Sequence, residues 1–353
     1  MDNDKARLLH QYALEYRLSE FHTLFGEYTA GQEAQNLLDA YLLQAQLKLF
    51  TADETIYDDL KQAEEIGGKA RFPCLCLGWL PQDPNTFVVF NKDPGSLKRF
   101  LNVLPDSAAL LRQWYGEPGY GMACQIRSEI LYFTGNFEEA VLLAKEQYLR
   151  TEDCVSMLIA GYILYRCYLA MDKSEDAKET LLRIIRLVKE NPDHPTCKKV
   201  YKTIRSWSNL TTGWSGDTPR YHHTPDGYVL PVLEDRAAEI LKGISRLGPT
   251  EEPFVEYAAL NYKEIYTARL LYVDIFHAVY QFRAGKKAQA EKHFTKAYHV
   301  AEATGIVMPF VEYGEQIIPL IESLAGKKYA TGWMEQIIDL ARRYEESLEH
   351  FRD

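Results

Sequence analysis

The residues of this chain that are able to do chemistry are scattered along it. Carboxylates pair at Glu138-Glu139 and Glu251-Glu252. General acid–base work needs two such groups set against one another with shifted pKa values. These neighbours instead sit where helices are expected to begin, a position that favours negative charge. The nine histidines include His222-His223 but form no His-Glu-x-x-His motif, and no Gly-x-Ser-x-Gly elbow occurs. Cys74 and Cys76 make a Cys-x-Cys without a second pair or a spaced histidine pair, so no metal is expected there. All six cysteines are expected as free thiols. Gly285-Lys286-Lys287 and Gly326-Lys327-Lys328 lack the earlier glycine and the hydroxyl of a phosphate-binding loop, and the run Gly116 to Gly121 lacks Gly-x-Gly-x-x-Gly spacing. The expectation is a protein that is not an enzyme and carries no cofactor and no metal.

Binding chemistry is better supplied. Gln125, Arg127, Arg166 and His277 are polar or cationic residues set in apolar helical runs, where they are expected to face a groove. Trp79, Trp114, Trp207 and Trp214 are expected to close its walls, an arrangement suited to sugars or other small molecules because an aromatic face stacks on an apolar ring surface. The formal charge of −10 is the wrong sign for displacing counterions from phosphates, which argues against nucleic acid and anionic membrane as partners. The start, Met1-Asp2-Asn3-Asp4-Lys5, has no basic or apolar leader, and no run approaches the roughly 18 apolar residues of a membrane helix, so a cytoplasmic location is expected.

The elements that must position these residues are helices. Apolar positions recur at three- and four-residue spacing through residues 5–28 and 33–49, and further helices are expected over 53–66, 254–284, 286–304, 310–324 and 331–350. Only Thr86-Phe87-Val88-Val89-Phe90 reads as a short extended piece. Three segments share one phase: an apolar helix, a short polar turn, and a second helix opening on an alanine, Ala140, Ala177 or Ala290. The first two alanines are spaced by about one tetratricopeptide unit of about 34 residues, and the third lies about three units on. Gly135 and Gly285 are expected to end helices in the left-handed conformation. The expected fold is all-α, a tetratricopeptide-like right-handed superhelix of stacked antiparallel helix pairs, forming one domain over residues 1–353. Irregular insertions rich in proline and aromatic residues are expected at about 71–95 and 206–231.

Two stretches resemble a known group. Tyr132-Phe133-Thr134-Gly135-Asn136-Phe137-Glu138-Glu139-Ala140, and the run Ala297 to Glu312 followed by Ile317-Ile318-Pro319-Leu320, resemble the tetratricopeptide-like sensing region of the MalT-like regulators of the LuxR family. The resemblance implies a ligand-sensing or protein-interaction region of a bacterial transcription regulator. Its partner is expected to be a small-molecule inducer or a protein or peptide on the concave face, with a homo-oligomer possible. The family's ATPase module and helix-turn-helix have no counterpart in these residues, which suggests a fragment of a longer regulator. The alternative is a stand-alone scaffold for a peptide or partner protein, unconnected with transcription.

Overall fold

The computed structural model describes residues 2–14, 18–30, 33–75, 94–212, 267–314, 317–327 and 329–352. Trp79, Trp214, His222-His223 and the expected extended piece at 86–90 lie outside them. Among the described residues the protein is all-α, with no strand. The N-terminal helices are α1 (Asp2–Leu14), α2 (Leu18–Thr29), α3 (Ala34–Thr51) and α4 (Ile56–Ile66). They are followed by α5 (Leu97–Tyr115), α6 (Glu117–Phe133), α7 (Phe137–Arg150), α8 (Cys154–Ala170), α9 (Ser174–Glu190) and α10 (Pro195–Thr212). The C-terminal part holds α11 (Thr267–Arg283), α12 (Lys287–Thr304), α13 (Met308–Val311), α14 (Ile318–Ser323) and α15 (Thr331–Arg352).

The helical phase expected from the repeated alanines is present in the backbone. Gly135, Asp172 and Gly285 each adopt positive φ, at 80°, 55° and 77°. Each turn closes with the same bond, from Asn136 N–H to Leu131 O, Lys173 N–H to Tyr168 O, and Lys286 N–H to Gln281 O, at 2.8 to 2.9 Å. These bonds satisfy carbonyls that a helix end leaves open. Ala140, Ala177 and Ala290 are fully buried, so each second helix lies close against the first. A fourth turn of this kind, at Ala52 (φ 55°) with Asp53 N–H donating to Lys48 O, follows α3 without the glycine that would have announced it.

Two expectations need correcting. The span 310–324 breaks into the short α13 and α14, because Pro309 and Pro319 each open a new first turn and Gly314 bends the chain at φ 56° between them. Residues 206–212, expected in an insertion, belong instead to α10, which runs on to Thr212; the rest of the expected insertion lies outside the described residues. Burial holds α10 there: Trp207 packs edge-on against Tyr162 and Tyr165 of α8, with ring centroids 5.5 and 5.7 Å away.

α8 is buried around almost its whole circumference, from Val155 to Leu169, as befits a helix enclosed on every side. It packs against α7, α9, α10 and α15. The C-terminal segment therefore lies on the repeats and not beyond them. It also caps them: Val307 N–H donates to Phe133 O at the end of α6, Ser347 Oγ–H to Leu169 O at the end of α8, and Arg352 Nε–H to Thr212 O at the end of α10.

Candidate functional site

A cleft of about 320 Å³ opens where α6, the end of α7 and the start of α8 meet. Local sequence builds each wall. Gly116, at φ 66°, ends α5, and Pro118 starts α6 where its missing N–H costs nothing. Gly119 then lets α6 cross α5 at close range, for a Cβ there would stand 2.6 Å from the Leu111 carbonyl oxygen. That crossing sets Tyr120, Cys124 and Gln125 along one wall. Gln147 and Arg150 in the last turn of α7 supply the second wall. Thr151 and Asp153 are extended, and Asp153 caps α8 by accepting from Ser156 N–H and Oγ–H at 2.7 Å each.

The floor of the cleft is polar. Gln147 Nε2–H donates to Gln125 Oε1 at 3.3 Å, and each residue is only 4% exposed. Gln147 Oε1 is buried with no hydrogen-bond partner among the described residues. A buried acceptor without a donor costs free energy, so a group able to donate to it is favoured there. Tyr120 reaches Glu146 at 3.4 Å, and its hydroxyl is pushed up to about 12 by burial, then by Cys124 and Glu146. Burial likewise raises the Cys124 thiol, against the lowering effect of the Tyr120 hydroxyl bond. Around the mouth, Glu117 pairs with Arg112, and Arg150 lies 3.0 Å from Glu146 and 3.6 Å from Glu117. These groups are about half exposed, so water screens them and they set the rim's charge more than its stability.

Of the described residues expected to bind, only Gln125 lines this cleft. Arg127 is nearby but pairs with Glu139 across the α6–α7 turn. Trp114 is half-buried against the core on α5. His277 is buried on α11, its ring stacked on His293 at 4.5 Å, and His293 Nδ1 meets Asp274 Oδ1 at 2.9 Å. Arg166 and Trp207 are brought together, but inside the protein. The Arg166 guanidinium pairs with Glu312 and lies over the rings of Tyr132, Tyr162 and Trp207 at 4.2, 5.0 and 5.1 Å. Tyr132 and, at 3.3 Å, Tyr272 also donate to Glu312. Burial raises Tyr132 and Tyr344 well above the usual tyrosine range; at Tyr132 the adjacent Glu312 adds to this while Arg166 opposes it. The face carrying Arg166 and Trp207 is thus covered by the chain's own C-terminal segment.

Sequence reasoning missed Gln147, Glu312 and Tyr272. One of them, Glu312, had a signal. Arg166 is the one charge in the apolar run Leu158–Leu169, and Glu312 follows the apolar run Ile306–Val311. A lone cation and a lone anion in such runs are each too costly to bury alone, so they are natural partners. Gln147 had none, because a glutamine in a second helix reads as solvated. Compared with known proteins, the chain matches no protein-family model and no curated protein.

Proposed function

We propose that this chain is a tetratricopeptide-like region, a right-handed superhelix of stacked antiparallel helix pairs, that binds a small polar molecule in the cleft between α6, α7 and α8. The observation that carries the reading is the buried Gln125–Gln147 amide pair at the cleft floor, with the Gln147 oxygen left over. The cleft volume is near the lower end of the range of about 300–1,000 Å³ for small-molecule sites. Its occupant is a neutral or cationic donor, since Glu117, Glu152 and Asp153 outnumber Arg150 among the lining residues. The reading favours binding over covalent chemistry, because the raised Cys124 thiol stays protonated and is a weak nucleophile. A region of this kind fits the sensor of a MalT-like, LuxR-type regulator, with occupancy shifting the array between two arrangements.

Thermal shift against monosaccharides, short oligosaccharides, amides, amino acids and amines tests this. A stabiliser is expected whose effect disappears in Gln147→Leu, while the unliganded variant melts close to wild type, because the buried orphan acceptor it removes offsets the donor that Gln125 Oε1 loses. No stabiliser from the panel, or one equally active on Gln147→Leu, would sink the reading.

A second reading, a scaffold for a partner protein, is favoured by a different observation. Leu142 and Leu149 on α7 and Leu182 on α9 are 68%, 83% and 59% exposed, on the outer helices. Capture of one defined protein partner, abolished by Leu142→Asp and Leu149→Asp but untouched by Gln147→Leu, distinguishes it.

A further inference from the structure

Cys154 opens α8 and Cys197 lies in the first turn of α10, and their sulfurs stand 2.7 Å apart. His194 immediately precedes α10, and its Nδ1 accepts the Cys197 N–H at 3.3 Å. One donor atom from each of the three residues lies within 4.8 Å of the other two. We propose that Cys154, His194 and Cys197 form a binding site for a thiophilic divalent cation of the zinc type, with water as the fourth ligand.

The donor set is the argument. Two sulfurs and an imidazole nitrogen are the ligands that zinc selects, and three protein ligands plus water is a coordination it accepts. Tetrahedral zinc, with bonds of about 2.3 Å to sulfur, holds its sulfurs about 3.8 Å apart, so binding requires the two thiols to part by about 1 Å. A disulfide would require the opposite movement and would give His194 no part. The local sequence explains the convergence: His-x-x-Cys at a helix start puts one donor just before the first turn and the other within it, both facing the N-terminal end of α8.

Charge balance supports the same assignment. A divalent ion displaces the protons of Cys154 and Cys197, and two thiolates with a neutral imidazole leave the site uncharged. Cys197 is buried, Cys154 half-buried and His194 exposed, so the ion has an open side for entry. Bound there, it ties the start of α8 to the start of α10 around α9. Asp153, the neighbour of Cys154, lines the cleft described above, so the ion would stiffen one wall of it. The metal site nonetheless stands on its own residues and does not depend on the cleft's ligand.

The test is a titration of the full chain, reduced and metal-free, with Co²⁺, followed by competition with Zn²⁺ against a chromophoric chelator. One equivalent of Co²⁺ is expected to bind, with near-ultraviolet thiolate-to-cobalt charge transfer and the intense visible bands of a tetrahedral ion. Cys154→Ser and Cys197→Ser are expected to abolish the charge-transfer band. His194→Ala is expected to weaken binding by more than the about tenfold lost when an outer-shell partner is removed. Cys74→Ser, away from the triad and the cleft, is expected to bind as wild type, and circular dichroism checks that each variant is folded. Absence of the bands overturns the proposal, as does binding unchanged in Cys154→Ser. So does a native mass lower by two hydrogens, from a Cys154–Cys197 disulfide, in a chain that binds no Co²⁺ once reduced.

Discussion

Arg166 of α8 and Glu312, 146 residues further along the chain, form an ion pair whose side chains are 3% and 10% exposed. The pair joins the middle of the repeats to the segment after α12. Tyr132 and Tyr272 bond the same carboxylate, so four elements converge on one charge. Breaking such a pair from one side leaves an uncompensated buried charge, which costs about 3–5 kcal/mol, whereas replacing both partners with apolar groups is often close to neutral. Arg166→Met is therefore expected to lose about 3–5 kcal/mol in urea denaturation at pH 7, and Arg166→Met/Glu312→Leu clearly less. A single variant within about 1 kcal/mol of wild type would show that the two groups do not depend on one another.

The C-terminal helix contributes through helix ends as well as through packing. Ser347 is fully buried and donates to the Leu169 carbonyl, which also accepts the Asp172 N–H at 3.3 Å in the turn after α8. Ser347→Ala is expected to lower the stability by about 0.5–1.5 kcal/mol, the net worth of one hydrogen bond, since the Asp172 N–H stays on the carbonyl. Its urea midpoint should fall with an unchanged m value. A midpoint equal to wild type would mean that the Asp172 N–H satisfies the Leu169 carbonyl by itself.

The crossing of α5 and α6 depends on the absence of one methyl group. At Gly119 an added Cβ would stand 2.6 Å from Leu111 O and 2.9 Å from Tyr115 Cβ, and the first of these is backbone that cannot step aside cheaply. Gly119→Ala is expected to destabilise by about 1–3 kcal/mol through overpacking. Because Tyr120 and Cys124 lie on the same helix, it should also weaken any ligand of the cleft. A Gly119→Ala protein as stable as wild type would show that the helices are free to separate.

His10 provides a pH dependence of definite sign. Its ring stacks on Phe72 at 4.6 Å, its Nε2 is buried with no hydrogen-bond partner among the described residues, and burial lowers its pKa below the ordinary 6.5. The unfolded chain therefore takes up the proton first as pH falls. The stability due to neutral His10 is complete above pH 6.5 and is lost as pH drops through that value toward the lowered folded pKa. The urea midpoint is expected to decrease from pH 7.5 to 5.5, and His10→Phe, which keeps the stack, to show a shallower decrease. An identical slope in the variant would assign the dependence to other groups.

The helices and their joints were legible in the sequence because they rest on local physics. Apolar spacing marks a helix wherever it occurs, and Gly135, Gly285 and the buried alanines mark turns whose geometry is complete within a few residues. Local signals misled where they competed with burial. Trp207 looked like part of a loop until Tyr162 and Tyr165 held it in a helix. Residues 310–324 looked like one helix because periodicity outweighed Pro319 and Gly314.

The placement of the polar residues was another matter. The sequence by itself determined that Arg166, Gln125 and His277 sit on helices and that an arginine inside an apolar run must be compensated. Tertiary structure alone decided that Arg166 meets Glu312, that Gln125 meets Gln147 beside a cleft, and that Cys154 meets Cys197 and His194. The reason is physical. Helical periodicity is a rule about residues three and four positions apart, whereas these partnerships depend on how far each helix pair rotates on the next. That rotation is set by the close approaches at Gly119 and the repeated alanines together with the folding-back of the C-terminal segment, and no single stretch of sequence contains it.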